Sequence, residues 1–244
     1  MKTLKLSNFV GQYKGKNSKI MVISDLHLPY PHPDAIDFLI KMKAKYKPTR
    51  IISIGDLFDQ YSCSRYDKDP SADNVVTEVN KARAYVKRLV KIFPKMDIVT
   101  GNHDIRSILK ARRAGIPEEY LKTRHEIYGM PDTWIWHDPQ LIIDDICFVH
   151  GKTRVFNKLS KNMGMNTVQG HHHSVAGVTY WSSPLALRWD CIIGCLANPD
   201  HYSQEYSKND LNKMILGSLI IDEGQPVFIQ MKLKRGGKWD RKIR

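Results

Sequence analysis

The chain has 244 residues and a formal net charge of +13, with 42% hydrophobic and 26% charged residues. This length and balance are typical of one globular α/β domain, and no apolar run approaches the ~20 residues that a membrane span needs. The basic charge favours anionic partners such as phosphate compounds or nucleic acids. The Lys-rich first residues lack the apolar core of a signal peptide, so the sequence predicts a cytoplasmic protein without disulfides.

The first half of the chain alternates predicted strands and helices. Short apolar runs predict strands over residues 19–24, 51–54 and 97–100. Apolar residues at helical spacing predict helices over 34–47, with Asp34 as the N-cap, and over 74–92. Residues 104–114 and 117–125 are also predicted to be helical. The order strand, helix, strand predicts parallel βαβ units.

The second half is predicted to be richer in strands. These predicted strands are 141–143, 146–149, 167–169, 175–181, 214–221 and 227–231, and one helix is predicted over 153–162. Two mixed sheets packed together, with helices outside, would bury both sets of apolar runs. We therefore expect a single domain over 1–244, with loosely ordered basic segments at 1–18 and 232–244.

Five short polar clusters follow predicted strands. They are Asp25-Leu26-His27, Gly55-Asp56-Leu57-Phe58-Asp59, Gly101-Asn102-His103-Asp104, His150-Gly151 and Gly170-His171-His172-His173. Loops beyond the carboxyl ends of strands meet at one edge of an α/β sheet, so we expect these clusters to lie together. Their carboxylate, amide and imidazole donors, without thiolates, suit borderline or hard divalent cations.

The spacing within the clusters suggests how the side chains are aimed. Residues i and i+2 of an extended segment share a face, so Asp25 and His27 should point the same way. The glycines at 55, 101 and 170 are predicted to permit tight backbone turns.

The order of these clusters resembles the calcineurin-like metallophosphoesterase superfamily, whose motifs are DxH, GDxxD, GNH(D/E), H and GHxH. The resemblance implies a four-layer αββα sandwich with a dinuclear metal centre. One ion would be bound by Asp25, His27, Asp56 and His173, and the other by Asp56, Asn102, His150 and His171. The two divalent cations could be Mn²⁺, Mg²⁺, Zn²⁺, Fe or Co, with Mn²⁺ or Mg²⁺ favoured.

The resemblance also implies two catalytic residues. Two metal ions would clamp a phosphate and lower the pKa of a bound water. His103 would then be the general acid for the leaving oxygen, and Asp59 would orient His103 and favour its protonated form. The role of Asp104 stays open.

The substrate is predicted from weaker signals. Tyr61, Arg65 and Tyr66 lie in the polar loop after Asp59, and Arg106 follows the GNHD motif; aromatic rings can stack on bases, and Arg can bind phosphate. Gln60 stands where the Ser/Thr phosphatase branch has Arg, which argues against a protein phosphatase. The pattern around this loop is similar to phosphoesterases encoded by tailed bacteriophages.

Three hypotheses follow from the sequence. The first is a phosphomonoesterase that hydrolyses (deoxy)nucleoside 5′-monophosphates, small molecules met in the host cytoplasm if the chain is phage-encoded. The alternative is a metal-dependent phosphodiesterase or DNA nuclease that exploits the +13 charge. A non-catalytic binding scaffold is the remote alternative. Such a scaffold would be expected to have lost metal-ligating residues, whereas every candidate ligand is present in this sequence. Oligomeric state stays open.

Overall fold

A computed structural model of the chain describes residues 18–207 and 212–243. The predicted loose segment at 1–18 therefore lies outside the described residues, except for Ser18. None of the helices in the described ranges combines the length and the apolar character that a bilayer crossing demands.

One mixed sheet has six strands in the order β11-β10-β1-β2-β3-β4. In chain order they are β1 (Ile20–Ile23), β2 (Arg50–Ser53), β3 (Met96–Val99), β4 (Trp134–His137), β10 (Gly217–Asp222) and β11 (Gln225–Gln230). Strands β1 to β4 run parallel to one another, whereas β10 is antiparallel to β1 and β11 to β10. Helices α1 (Ala35–Tyr46) and α2 (Val75–Ile92) make the first two crossovers, as the βαβ pattern predicts.

The second mixed sheet has five strands in the order β5-β6-β7-β9-β8. They are β5 (Gln140–Ile143), β6 (Ile146–Val149), β7 (Asn166–Gln169), β8 (Ala176–Ser183) and β9 (Ala186–Ile193). Strands β6, β7 and β9 are parallel, and β5 and β8 are antiparallel edges. Three further helices are α3 (Arg106–Arg113), α4 (Arg124–Tyr128) and α5 (Lys158–Met163).

Alternation along β1 shows how the layers pack. Ile20 and Val22 face the five-stranded sheet, where they join Phe148 in the core between the sheets. Met21 and Ile23 belong to the other core, formed with the helices that cover the six-stranded sheet. The prediction of two mixed sheets with flanking helices is confirmed.

Several helices and strands differ from those predicted. Strands β4 and β9 were not predicted, since β4 is short and Arg188 and Asp190 interrupt the apolar run of β9. The helix predicted over 153–162 is the shorter α5, and the helix predicted over 117–125 is replaced by a 3₁₀ turn followed by α4.

The basic tail is anchored rather than loose over 232–243. Trp239 is 2% exposed and packs edge-on against Phe38 of α1, with ring centroids 5.3 Å apart. Its backbone N–H donates to Asp34 Oδ2 at 2.9 Å, and Arg241 pairs with Asp34 Oδ1 at 2.8 Å. Asp34 is at the N-cap position of α1 but makes no side-chain cap hydrogen bond, because its carboxylate binds the tail instead.

Candidate metal centre and the adjoining cleft

All five polar clusters follow strands and meet at one edge of the sandwich. Those after β1, β2 and β3 come from the six-stranded sheet, and those after β6 and β7 come from the five-stranded sheet. Each sheet therefore contributes part of the candidate centre.

The backbone at the candidate ligands is left-handed rather than extended. The φ angles are 51° at Asp25, 50° at His27, 48° at Asp56 and 66° at His171. The predicted extended arrangement of Asp25 and His27 is therefore wrong, although Asp25 Oδ1 and His27 Nε2 still approach to 3.7 Å. Non-glycine residues rarely adopt this conformation, and such residues concentrate at functional sites.

The glycines of the motifs serve two different needs. Gly55 has φ +97°, which supports the predicted tight turn. Gly170 instead provides space, because a Cβ there would lie 2.6 Å from Asp25 Oδ2.

One group of candidate ligands is formed by Asp25, His27 and His173. His173 Nε2 lies 3.1 Å from Asp25 Oδ1, and the Nε2 atoms of His27 and His173 lie 3.3 Å apart. One potential ligand atom from each residue lies within 4.8 Å of the other two.

A second group is formed by Asp56, His150 and His171. His150 Nε2 lies 3.1 Å from Asp56 Oδ2 and 3.2 Å from His171 Nδ1. Asn102 Oδ1, an additional oxygen donor, lies 3.0 Å from His150 Nε2.

Asp56 lies between the two groups. Its Oδ2 atom is 3.8 Å from His27 Nε2 in the first group and 3.1 Å from His150 Nε2 in the second. Its Oδ1 atom accepts the backbone N–H of His103 at 2.7 Å, which fixes the carboxylate. This position suits a ligand shared by two cations.

The second ring nitrogens support a metal-binding role for two histidines. His27 Nδ1 lies 3.0 Å from Asp59 Oδ2, and His150 Nδ1 lies 2.9 Å from the carbonyl oxygen of Ile54. Metal-ligating histidines usually donate their other N–H to a carboxylate or a backbone carbonyl. The donor set and its partners therefore fit two divalent cations.

Burial and charge strongly perturb these groups without metal. Burial opposes protonation of His27, but hydrogen bonds with Asp25 and Asp59 outweigh it and raise its pKa to about 10. Burial likewise opposes protonation of His150, and Asp56 raises its pKa to about 9. Burial and the neighbouring His150 lower the pKa of His171 to about 4. Cation binding here would compete with protonation of His27 and His150.

Asp59 contacts several groups beside the candidate centre. Its Oδ2 atom holds His27, its Oδ1 atom accepts from Arg106 Nη1 at 3.2 Å, and its carbonyl oxygen lies 3.1 Å from His103 Nδ1. The Asp59 carboxylate is farther from His103, at 3.6 Å. The shorter contact between Asp59 and His103 is therefore made by the backbone, while the carboxylate orients a candidate ligand.

Arg106 also constrains the ring of His103. Its Nη2 atom lies 2.9 Å from His103 Nε2. Because guanidinium can only donate, Nε2 must be the acceptor in this arrangement, and Nδ1 carries the proton toward Asp59.

Two further residues join the motif loops. Asp104 is fully buried and accepts the backbone N–H groups of Phe58 at 3.0 Å and Gly101 at 2.9 Å. Gln60 donates to the carbonyl oxygen of Asp104 and accepts from the backbone N–H of Ser107 in the first turn of α3. Both residues hold the loops after β2 and β3 together.

A cleft of about 880 Å³ opens beside the candidate centre. Its lining includes Asn102, His103 and His171 from the motif loops, together with Arg106, Tyr61 and Tyr66. Arg65 is absent from this lining; its guanidinium donates to Tyr66 Oη at 2.9 Å on the exposed side of the loop.

The sequence did not reveal two residues that shape this cleft, one that lines it and one that holds the backbone of its loop. Tyr202 lines it from a 3₁₀ segment that carries no recognisable motif. Glu78 is 4% exposed and accepts the backbone N–H groups of Tyr61 at 2.7 Å and Ser62 at 2.9 Å. Its place four residues before Ala82, on the buried stripe of α2, is the signal that could have identified it.

A smaller groove of about 390 Å³ also has Asn102 and His171 in its lining. It is lined in part by Ile105, Pro139 and Lys152. The candidate centre is thus open toward two depressions that share these two residues.

Comparisons with known proteins agree with the motif order. The family model described as calcineurin-like phosphoesterase matches residues 18–213. No curated protein sequence is significantly similar to the chain.

The solved structures that match this chain have low sequence identity to it. Vps29 from Chaetomium thermophilum has a TM-score of 0.49 at 13% identity, covering 93% of this chain and 92% of that chain. The phosphoesterase Yfce from E. coli has a TM-score of 0.44 at 14% identity, covering 84% and 88%. The nuclease MPE from Pseudomonas putida has a TM-score of 0.39 at 12% identity, covering 86% of each chain.

Proposed function

Because the chain belongs to the calcineurin-like phosphoesterase family, we propose that it is a dinuclear-metal phosphomonoesterase of (deoxy)nucleoside 5′-monophosphates. The products would be a nucleoside and phosphate. The observation that carries the proposal is the position of Asp56 between two groups of candidate ligands, beside a cleft that His103 lines. A nucleotide-sized substrate suits this cleft, since ligand pockets typically measure ~300–1,000 Å³.

Each predicted ligand has a place in this proposal. One cation would be held by Asp25, His27, Asp56 and His173, and the other by Asp56, Asn102, His150 and His171. When bound, two divalent cations neutralise phosphate charge and activate a water molecule. Mn²⁺ or Mg²⁺ remains the favoured identity from the sequence.

His103 and Arg106 would act on the ester from the cleft. We assign His103 as the proton donor to the leaving oxygen, through Nε2. Arg106 donates to that nitrogen in the present structure, and a phosphate would compete for the same guanidinium by bidentate hydrogen bonding. Transfer of Arg106 from His103 to the phosphate would free Nε2 to take up a proton from solvent, and the resulting imidazolium would donate that proton to the leaving oxygen.

A phosphodiesterase or DNA nuclease is the second candidate. The groove beside Lys152 favours it, because a diester has a second substituent that could occupy space beyond Asn102 and His171. The net charge of +13 would also attract a polyanion.

One assay separates these candidates. Phosphate release from dAMP, dGMP, dCMP and dTMP is measured with Mn²⁺ or Mg²⁺, beside degradation of single- and double-stranded DNA. We expect release from the monophosphates; cleavage of DNA with inert monophosphates would overturn the proposal. The similarity to phage phosphoesterases, in particular to a bacteriophage deoxynucleoside 5′-monophosphatase, and a cytoplasmic location remain predictions from sequence.

A further inference from the structure

The cleft places the alcohol part of the substrate beside a pair of tyrosines. This placement of the substrate rests on the proposed function, in which His103 protonates the leaving oxygen. Because His103 and Arg106 both line the cleft, the nucleoside must lie within it. Tyr61 and Tyr202 line the same cleft, and their ring centroids are 5.2 Å apart at an interplanar angle of 62°.

The ring of Tyr202 is held in place through its hydroxyl group. Tyr202 Oη donates to Tyr30 Oη at 2.9 Å and accepts the backbone N–H of Asp73 at 3.1 Å. Tyr30 Oη in turn donates to Asp73 Oδ2 at 3.2 Å, and Lys81 pairs with the same carboxylate at 2.7 Å. The hydroxyl of Tyr202 is therefore engaged within the protein. Its ring also contacts His201, with centroids 4.0 Å apart, and Tyr30, with centroids 5.4 Å apart. The part of the ring that lines the cleft is what remains for a ligand.

Tyr61 is fixed in a comparable way. Its backbone N–H donates to Glu78, and its Oη atom accepts the backbone N–H of Asp69 at 3.0 Å. Tyr66 differs, because it is 65% exposed and its hydroxyl binds the exposed Arg65. The immobilised aromatic wall consists of Tyr61 and Tyr202.

We infer that Tyr202, together with Tyr61, forms the nucleobase-binding wall of the cleft and that Tyr202 determines selectivity for nucleotides over phosphate esters without a base. A ring with an engaged hydroxyl offers apolar, polarisable surface rather than hydrogen bonds, and every base has a π-face that can pack on it. Such a wall is ordered before the ligand arrives, so binding loses little side-chain entropy. The wall predicts tolerance among the four bases rather than strict choice of one.

The first test compares substrates with and without a base. Tyr202→Ala should raise KM for dAMP and dTMP roughly 5- to 150-fold, the range measured when a stacking aromatic is removed. Its KM for glycerol 2-phosphate and its kcat for every substrate should change far less. Tyr202→Phe keeps the ring and should recover most of the lost affinity. Tyr180→Ala removes a half-exposed tyrosine of β8 outside the cleft and should leave every KM unchanged.

A binding measurement tests the wall without turnover. Deoxyadenosine, which has no phosphate, is titrated into the metal-free protein and followed by NMR. We expect saturable shifts in the wild type that weaken at least several-fold in Tyr202→Ala, with circular dichroism confirming that the variant is folded. If the variant does not fold, Tyr202→Leu replaces it.

The two ideas fail in different ways. An absence of phosphate release from all nucleotides would overturn the proposed function. The deoxyadenosine titration would still show whether Tyr202 and Tyr61 bind the nucleobase. Equal losses in Tyr202→Ala for dAMP and glycerol 2-phosphate, or unchanged binding of deoxyadenosine, would overturn the inference and leave the proposed function standing.

Discussion

The imidazole of His103 is constrained at both ring nitrogens. Nδ1 lies 3.1 Å from the carbonyl oxygen of Asp59, and Nε2 lies 2.9 Å from Arg106. These contacts fix the plane of the ring beside the cleft. His103 also contacts two candidate ligands: its ring lies edge-on to His27, with centroids 4.5 Å apart, and its Nε2 lies 3.8 Å from Asp56 Oδ2. Its backbone N–H donates to Asp56 Oδ1.

The imidazole of His103 is not one of the predicted metal ligands, and its replacement keeps the backbone N–H that binds Asp56, which gives the first prediction. His103→Asn should lower kcat for deoxynucleoside monophosphates by ~10²–10⁴, the usual contribution of a general acid. The loss should be smaller for p-nitrophenyl phosphate, whose leaving group needs less protonation. Metal content, measured by plasma mass spectrometry, should stay at the wild-type level.

A matched control is His137→Asn. His137 pairs with Asp97 Oδ1 at 2.8 Å, outside the cleft, so its replacement should leave kcat unchanged. Turnover of dAMP by His103→Asn at nearly the wild-type rate would contradict the assignment of the general acid.

At the scale of elements, helix α2 holds the backbone of a cleft-lining loop through Glu78. Its two carboxylate oxygens accept the N–H groups of Tyr61 and Ser62, at the start of the loop that follows Asp59. Burial raises the pKa of Glu78, and these two hydrogen bonds offset part of the cost of holding a carboxylate there.

Replacement of this carboxylate is the second prediction. Glu78→Gln can accept only one of the two N–H groups and presents an NH₂ group to the other, which should cost ~1–3 kcal/mol of unfolding free energy. KM for nucleotides should rise, because the backbone of Tyr61 loses its anchor. Urea denaturation and steady-state kinetics measure the two effects.

Glu118→Gln is the control for this change. Glu118 pairs with Arg112 at 2.7 Å on the surface, where an ion pair contributes only ~0–1 kcal/mol. Stability and KM equal to the wild type in Glu78→Gln would show that the loop does not depend on α2.

Helices and strands could be predicted where the local pattern of apolar residues matches the burial of the element in the fold. Strands β1 and β6 are continuous apolar runs because both of their faces are buried. Strand β9 was missed because Asp190 is buried within it, where it accepts the backbone N–H of Asn157 at 2.8 Å from outside the strand. The order of the tail was missed for a similar reason, since the partner of Trp239 lies in α1, two hundred residues away in sequence.

The meeting of the candidate ligands at one edge could be predicted, since the motif order places each of them after a strand; their role as ligands stays a prediction. Their backbone conformation and the wall residue Tyr202 could not be predicted. Tyr202 is held at the cleft by hydrogen bonds with Tyr30 and Asp73 and by a ring contact with His201, and no spacing in the sequence records such contacts.

At the scale of the whole molecule, the candidate centre joins the two sheets. Asp25, His27 and Asp56 come from the six-stranded sheet, whereas His150 and His173 come from the five-stranded sheet. Cations held by both sets would cross-link the two layers at the edge where they meet. Unfolding must separate these ligands, so bound metal should stabilise the native state as a whole.

Metal removal is the third prediction. A cation present at 100 times its Kd stabilises the native state by ~2.7 kcal/mol, which corresponds to roughly 5–10 °C in Tm for a domain of this size. Treatment with EDTA should lower Tm by this amount, and Mn²⁺ should restore it; differential scanning calorimetry measures both.

Asp56→Asn should abolish most of the response to Mn²⁺, because it weakens the ligand placed between both groups. Asp132→Asn, an exposed change, should retain the full response. A Tm that is indifferent to EDTA and Mn²⁺ in the wild type would contradict a centre that links the sheets.

The left-handed backbone at Asp25, His27 and Asp56 has a consequence for how this fold can evolve. Each such residue costs about 1 kcal/mol or more relative to one in an ordinary conformation, and asparagine or glycine tolerates the conformation better. A duplicated copy released from selection for catalysis would therefore gain stability by exchanging these positions first. Substitutions at these positions would stabilise the fold while they remove activity. The residues with left-handed backbone would therefore be the first to be replaced.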